Sequence, residues 1–273
     1  MTRRVYTWAA KPAVRSLTVA DLKEGKGKRK WTQVTANTAD EAAAAAAAGL
    51  DMIICNSQNV GAVRSGDDTL FLTAAIGLPD YPTHDDILRE AFRALSLGAD
   101  AVLTARSMDV VEMLAAEEIP VMGHLGLVPR KSTWVGGLRA VGRTGDEAFD
   151  LFQRFRRLED AGAVLVEAEV IPGPVMAEIT ARSGLITVSL GSGTGADVMY
   201  LFMEDICGEK ETAPRHARAF GNLHRLYAQI REERIAALRD FRAASMEGSF
   251  PADSETAGIE PRELEDFLDR LKS

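Results

Sequence analysis

His124 closes a short apolar run, Val121-Met-Gly-His124, after which the chain breaks into a loop carrying Gly126, Gly136, Gly137 and Gly142. A strand that ends on a lone polar side chain and hands over to such a loop delivers that side chain to a pocket, and the glycines let backbone come close to a ligand. An imidazole there can donate to a carboxylate or keto oxygen. Glu169 closes a second run, Val164–Glu169, just before Val-Ile-Pro172. A carboxylate at a water-poor strand end has its pKa raised and becomes a competent base near neutral pH. Other apolar runs end on Asn56-Ser57, on Ala105-Arg106-Ser107 and on Gly191-Ser-Gly193. Each has a plainer alternative: a satisfied core histidine, an ion-paired glutamate, a tight turn.

The elements that must position these groups follow an alternating pattern. Strand-length runs fall at Trp31–Ala36, Met52–Cys55, Thr69–Ala74, Ala101–Thr104, Val121–Gly123, Val164–Glu169, Leu185–Leu190 and Val198–Met203. Helix patterns fall at Ala39–Gly49, Asp85–Leu97, Val110–Glu117 and Asp146–Ala161. Buried strands alternating with helices mean a parallel sheet. Eight such strands predict a single α/β domain over 1–273, a (β/α)8 TIM barrel whose catalytic groups sit at the C-terminal strand ends. The interval from Ser57 to Ala101 is short, as though part of one strand–helix unit were missing or rebuilt. From roughly 210 to 273 the chain is charged and helical, with patterns at Arg215–Ala244 and Pro261–Leu271. This C-terminal helical extension either packs across subunits or covers one barrel end.

Composition narrows the classes of function. A net charge of −8 and a pI near 5.2 argue against nucleic acid and against an anionic membrane surface. No apolar stretch is long enough to span a bilayer. Cys55 and Cys207 lie in apolar runs without a paired framework, which points to structural thiols and a reducing cytoplasm. The basic run Lys23 to Lys30 reads as a solvated turn before the first barrel strand.

The segment Gly123-His-Leu-Gly-Leu-Val-Pro129, with Gly142-Arg-Thr-Gly-Asp-Glu147, resembles the ketopantoate hydroxymethyltransferase family of the phosphoenolpyruvate mutase and isocitrate lyase superfamily. That family carries a Gly-His-Leu-Gly-Leu-x-Pro strand and a Gly-Arg-x-x-Asp-Glu loop at matching spacing. The resemblance covers most of residues 20–225 and is tight from 119 to 208. It implies hydroxymethyl transfer from methylenetetrahydrofolate to 2-oxoisovalerate, giving ketopantoate for pantothenate biosynthesis. It implies Glu169 as the base that generates an enolate, with Ser57 and His124 holding the substrate, and a homo-oligomer with C-terminal helices crossing between subunits. Asp197 matches an Asp that follows a glycine-rich turn, and Asp67–Thr73 matches a further family run.

The metal positions depart from the pattern. The family holds Mg²⁺ through the Asp of an Asp-Ser pair and an Asp on the third strand, with a Glu and a Lys near the fourth. Here Asn56 stands at the first, a poorer ligand for a hard cation, and Leu103 and Ala105 stand near the fourth. Either Asp80, Asp85 or Asp86 supplies a relocated site, or Arg106 grips the carboxylate in place of the metal. Asp85 and Asp86 also fit the plainer part of first-turn helix acids. The reactions left open are the family's own transfer, another lyase or hydrolase reaction on a changed carboxylate, and a non-catalytic barrel that has lost its metal site.

Overall fold

The computed structural model describes residues 2–272, which divide into two compact units meeting at Gly221 and Asn222. The first unit opens with an antiparallel hairpin, β1 (Arg3–Tyr6) and β2 (Pro12–Arg15), and a short helix, α1 (Val19–Gly25). Then come β3 (Trp31–Thr35), α2 (Ala39–Ala47), β4 (Met52–Asn56), α3 (Val60–Gly66), β5 (Phe71–Ala75) and α4 (His84–Ser96). They are followed by β6 (Ala101–Leu103), α5 (Met108–Ala116), β7 (Val121–Gly126), α6 (Gly145–Asp160), β8 (Leu165–Glu169) and α7 (Gly173–Arg182). β9 (Ile186–Leu190), β10 (Val198–Leu201) and α8 (Met203–Cys207) complete the unit. Strands β3 to β10 are parallel neighbours and close into an eight-stranded barrel, with β10 paired to β3. The predicted TIM barrel is the observed fold.

Period-two alternation sorts each strand into two cores. Trp31, Met52, Phe71, Met122, Leu165, Ile186 and Val198 pack together inside the barrel. Val34, Ile53, Leu72, Val102, Val121 and Val166 face outward and pack in the second cluster with helix residues such as Ala91 and Leu114. The same alternation carries His124 inward two residues after Met122, and Glu167 and Glu169 inward after Leu165. Helix starts are fixed by side chains: Thr38 with Glu41, and Thr83 with Asp86, each form reciprocal capping boxes.

Two expectations are corrected. The interval from Ser57 to Ala101 lacks nothing, because α3, β5 and α4 fill it as a complete set of elements. The basic run is only partly a solvated turn. Lys26 donates to Asp197 Oδ2 at 2.7 Å and to the Leu185 carbonyl at 2.8 Å, and Lys30 donates to the Ala196 carbonyl.

The second unit contains α9 (Leu223–Glu247) and α10 (Pro261–Arg270). Neither helix buries a residue, and Leu226, Ile230, Leu238, Phe241, Phe267 and Leu268 are exposed. No helix among the described residues is long and apolar enough to cross a membrane.

Candidate active site

Strands β7 and β8 run side by side with His124 opposite Glu167 and Gly126 opposite Glu169. His124 Nε2 lies 3.0 Å from Glu169 Oε2 and 3.6 Å from Glu167 Oε1. The three side chains are about nine-tenths buried. Gly126 is required for this approach. Its φ is +89°, and a Cβ there would come within 2.2 Å of the Glu169 carbonyl oxygen.

Behind Glu169 the backbone is held tightly. Ser192 donates its hydroxyl to the Ala168 carbonyl at 2.7 Å and accepts from the Ile171 amide at 2.9 Å. The Gly191–Gly195 turn therefore braces the end of β8, and its Ser192 amide is spent on Ser189 Oγ. Val170, the next residue after Glu169, has φ +49°. A β-branched residue in the left-handed region is strained by about 1–3 kcal/mol and persists only where its surroundings over-determine it.

The charges follow from burial and from one another. Burial drives the Glu167 carboxyl upward, His124 opposes this, and Glu169 adds to it; the net shift is upward. For His124, burial alone would favour the neutral ring. Glu167, the Glu169 hydrogen bond and charge, and a backbone hydrogen bond to Leu127 together outweigh it and raise its pKa. Tyr200, inside the barrel, is pushed well up by burial and then by both glutamates.

A cavity of about 520 Å³ opens above this trio, lined among others by His124, Glu167, Tyr200, Asn56, Gly77, Ala105 and Arg130. Arg130 is the one Lys or Arg in its lining among the described residues. Sequence reasoning missed both Glu167 and Arg130. Glu167 was legible in the alternation of Leu165-Val-Glu-Ala-Glu169, whereas Arg130 had no signal beyond following Pro129.

The remaining candidates are placed as follows. Asn56 lines the cavity, and its amide N–H donates to Asn37 Oδ1 at 2.9 Å. Ser57 does not line it. The Ser57 hydroxyl bonds Glu90 of α4, and its carbonyl accepts from Arg93 at 2.8 Å. Arg106 is also outside the lining, because its guanidinium donates to the Pro82 carbonyl at 2.9 Å and the Leu78 carbonyl at 3.2 Å. It holds the β5–α4 loop. Asp86 is the partner of Thr83 in the α4 cap, with Thr83 Oγ1 2.6 Å from Asp86 Oδ2, and Asp85 is in the first turn. Asp197 is buried between Lys26 and Thr187. Asp67 accepts from the Thr69 and Leu70 amides ahead of β5.

Metal binding in the family's manner does not fit this barrel. Ala105 follows the fourth barrel strand, β6, while the third strand, β5, runs out through Ala75-Ile76-Gly77. Asp80 folds back there, with Oδ2 2.2 Å from where a Cβ on Gly77 would stand. Lys131 donates to the Ala105 carbonyl. The β4–β6 side thus presents an amide, a glycine and a methyl group at the family's ligand positions, with the Asp80 carboxylate folded against Gly77, short of the set of hard anionic oxygens that Mg²⁺ needs. Among the described residues, the one group of three His, Cys, Asp or Glu side chains able to converge on a cation is His124, Glu167 and Glu169.

Both thiols are unpaired. Cys55 is buried and burial pushes its pKa up to about 12, and Cys207 is raised by burial as well.

Comparison with known proteins agrees with the motif. The family model described as ketopantoate hydroxymethyltransferase matches residues 57–253. Among curated relatives, a 3-methyl-2-oxobutanoate hydroxymethyltransferase from Nitratidesulfovibrio vulgaris is 31% identical, over 94% of this chain and 91% of its own. The protein of that name from Pyrococcus furiosus is 31% identical over 87% and 90%. Among solved structures, oxaloacetate acetylhydrolase superposes with a TM-score of 0.53 at 13% identity, covering 93% of this chain and 95% of its own. A 2,3-dimethylmalate lyase, a PEP mutase/isocitrate lyase superfamily member, gives 0.51 at 14% identity, covering 93% of this chain and 97% of its own.

Proposed function

Because this chain belongs to the ketopantoate hydroxymethyltransferase family, we propose that its enzymatic reaction is hydroxymethyl transfer to 2-oxoisovalerate, with methylenetetrahydrofolate as the one-carbon donor. Glu169 takes the proton from the carbon next to the keto group. The pair of electrons left behind forms an enolate. Water adds its oxygen to the donor's methylene carbon, both folate C–N bonds break as the nitrogens take the water protons, and the enolate carbon bonds to the released methylene carbon, whose oxygen takes the proton from Glu169 and becomes the hydroxyl. The observation that carries this reading is the 3.0 Å contact between Glu169 and His124 at the adjoining ends of β7 and β8, beside a cavity of substrate size.

Within this reading His124, held by the Leu127 backbone on one side of its ring, orients Glu169 through Nε2. Arg130, on the cavity wall, faces the substrate carboxylate, and Asn56 supplies an amide from the opposite wall. Ser57 and Arg106 act indirectly, by holding α4 and the β5–α4 loop. The family's Mg²⁺ is given no part, since the residues on the β4–β6 side do not suit it. The exposed apolar faces of α9 and α10 support a homo-oligomer. The unpaired thiols support a cytoplasmic enzyme, and Arg130 on the cavity wall supports a small-molecule carboxylate as its partner.

The test is deuterium exchange at C3 of 2-oxoisovalerate, followed without folate. Exchange requires only a base and a stabilised enolate. The wild type should exchange, and Glu169→Gln should lose ~10²–10⁴-fold in rate, the usual worth of a general base. Exchange at near wild-type rate in Glu169→Gln would overturn the assignment of the base. No exchange in the wild type, with some other 2-oxo acid exchanging instead, would favour a lyase or hydrolase of the same superfamily.

A further inference from the structure

The resemblance to the family accounts for Glu169 and His124 but not for Glu167, which adds a second carboxylate to the same face of β8. We propose that His124, Glu167 and Glu169 form a binding site for a divalent transition-metal ion of the Zn²⁺ class, at the floor of the cavity and away from the β4–β6 side.

Geometry comes first. One ligand atom from each side chain lies within 4.8 Å of the others, close enough for the three to converge on a single ion. The set is one imidazole nitrogen and two carboxylate oxygens, which suits a borderline ion. Three protein ligands would leave a coordination position open, and the three residues sit at the cavity, two of them on its wall.

The second observation concerns Glu167 itself. Its side chain is 8% exposed, and it lines the cavity. Among the described residues its one ion-pair contact is His124 Nε2 at 3.6 Å, too long for a hydrogen bond. A buried carboxylate aimed into a cavity without a hydrogen-bond donor is costly unless something else meets it. The third is the orientation of His124. Leu127 supplies a backbone hydrogen bond to the ring, while Nε2 faces both carboxylates. A backbone carbonyl on one ring nitrogen with the other turned to carboxylates is how metal-binding histidines are commonly held. A cation seated there meets all three groups at once. It would also occupy Glu169 Oε2, so the ion and a substrate proton compete for that oxygen.

The experiment is titration of metal-stripped, full-length protein with Zn²⁺ by calorimetry and with Co²⁺ by visible absorption. The expected result is one ion per chain, with a Co²⁺ spectrum that lacks thiolate charge transfer. Loss of an outer partner costs ~10–100-fold in affinity, so loss of a ligand in Glu167→Gln or His124→Ala should cost at least ~100-fold. Glu167→Gln is nearly isosteric, and its circular dichroism and thermal midpoint report whether the barrel is intact. A Cys55→Ser, Cys207→Ser double variant should bind as the wild type does. The proposal is overturned if the wild type binds no ion, or if binding survives Glu167→Gln and His124→Ala. It is equally overturned if binding disappears with the cysteines. None of these readouts depends on turnover, so failure here is separate from failure of the exchange assay.

Discussion

The two walls of the cavity have different chemistry. On the β7–β8 side three ionisable groups converge within hydrogen-bonding or near hydrogen-bonding range, and the backbone behind them is braced by Ser192 and strained at Val170. On the β4–β6 side Asn56, Gly77 and Ala105 offer no charge, and the nearby Arg106 and Lys131 are committed to backbone carbonyls. In a chain of the ketopantoate hydroxymethyltransferase family this contrast gathers the ionisable groups on one wall and leaves neutral ones at Asn56, Gly77 and Ala105 on the other. Charge then has to be met from the opposite wall or from Arg130.

The largest expected effect separates the walls by kinetic signature. Glu169→Gln should lower kcat by ~10²–10⁴ with little change in KM, the pattern of an interaction made in the transition state. Asn56→Ala should instead raise KM, because an amide that touches the bound carboxylate acts already in the ground state. Equal effects on kcat in the two variants would erase the contrast.

Next in size is Gly126→Ala. The added methyl would meet the Glu169 carbonyl in a backbone conformation that disfavours any side chain. Overpacking of this kind costs about 1–3 kcal/mol, so the urea midpoint should fall and exchange activity with it. Gly136→Ala, at a glycine with open space around it, should fall less, through its φ of +78° alone.

Asn56→Asp tests whether the neutral wall can be recharged. One hard anionic oxygen should give measurable Mg²⁺ binding by calorimetry, and adding Ala105→Glu should strengthen it. Absence of any gain in the double variant would mean that the wall has been reshaped as well as neutralised. Arg106→Leu should raise KM more than it lowers kcat, since its guanidinium supports the Leu78–Pro82 loop and does not line the cavity. Abolished turnover with unchanged KM would return Arg106 to the substrate.

The smallest effect concerns the loop after β7. Glu147 accepts from Arg139 at 2.5 Å and from the Gly142 and Arg143 amides, and the Arg139 hydrogen bond leads in depressing its pKa to about 2. A depressed carboxyl contributes stability above its unfolded value, near 4.3, and loses it as pH falls toward the folded value. Order in the 136–147 loop, read by proteolysis or hydrogen exchange, should therefore hold at pH 5 and fade between about pH 4 and 2. In Glu147→Gln it should be weaker at pH 5 and show no such fading.

Much of this contrast was legible in the chain. The eight strands were visible because buried parallel strands are apolar runs bounded by turns, and His124 and Glu169 stood out as polar ends of such runs. Glu167 does not stand out because it is not the last polar residue of its strand, although period two puts it on the same face as Glu169. Helix α7 begins Gly-Pro and α3 carries two glycines, so local propensity hid both, and packing on the barrel overrides it. The β1–β2 hairpin is too short and polar to announce itself. The partners of Ser57 and Arg106 depend on where α4 and its preceding loop settle, which no spacing in the sequence encodes.

The alternation of β8 also bears on how such barrels change their chemistry over time. Leu165, Glu167 and Glu169 are successive rungs on one side of a strand whose other side, Val166 and Ala168, is packed among helices. A single codon change at an inward rung therefore installs a new functional group one step deeper in the pocket, without moving a loop or disturbing the helical shell. Because β7 lies in register alongside, a side chain installed at 167 stands directly opposite His124. Chemical novelty in this fold can thus be acquired downward along a strand, a route open to any lineage whose barrel interior tolerates one polar layer more.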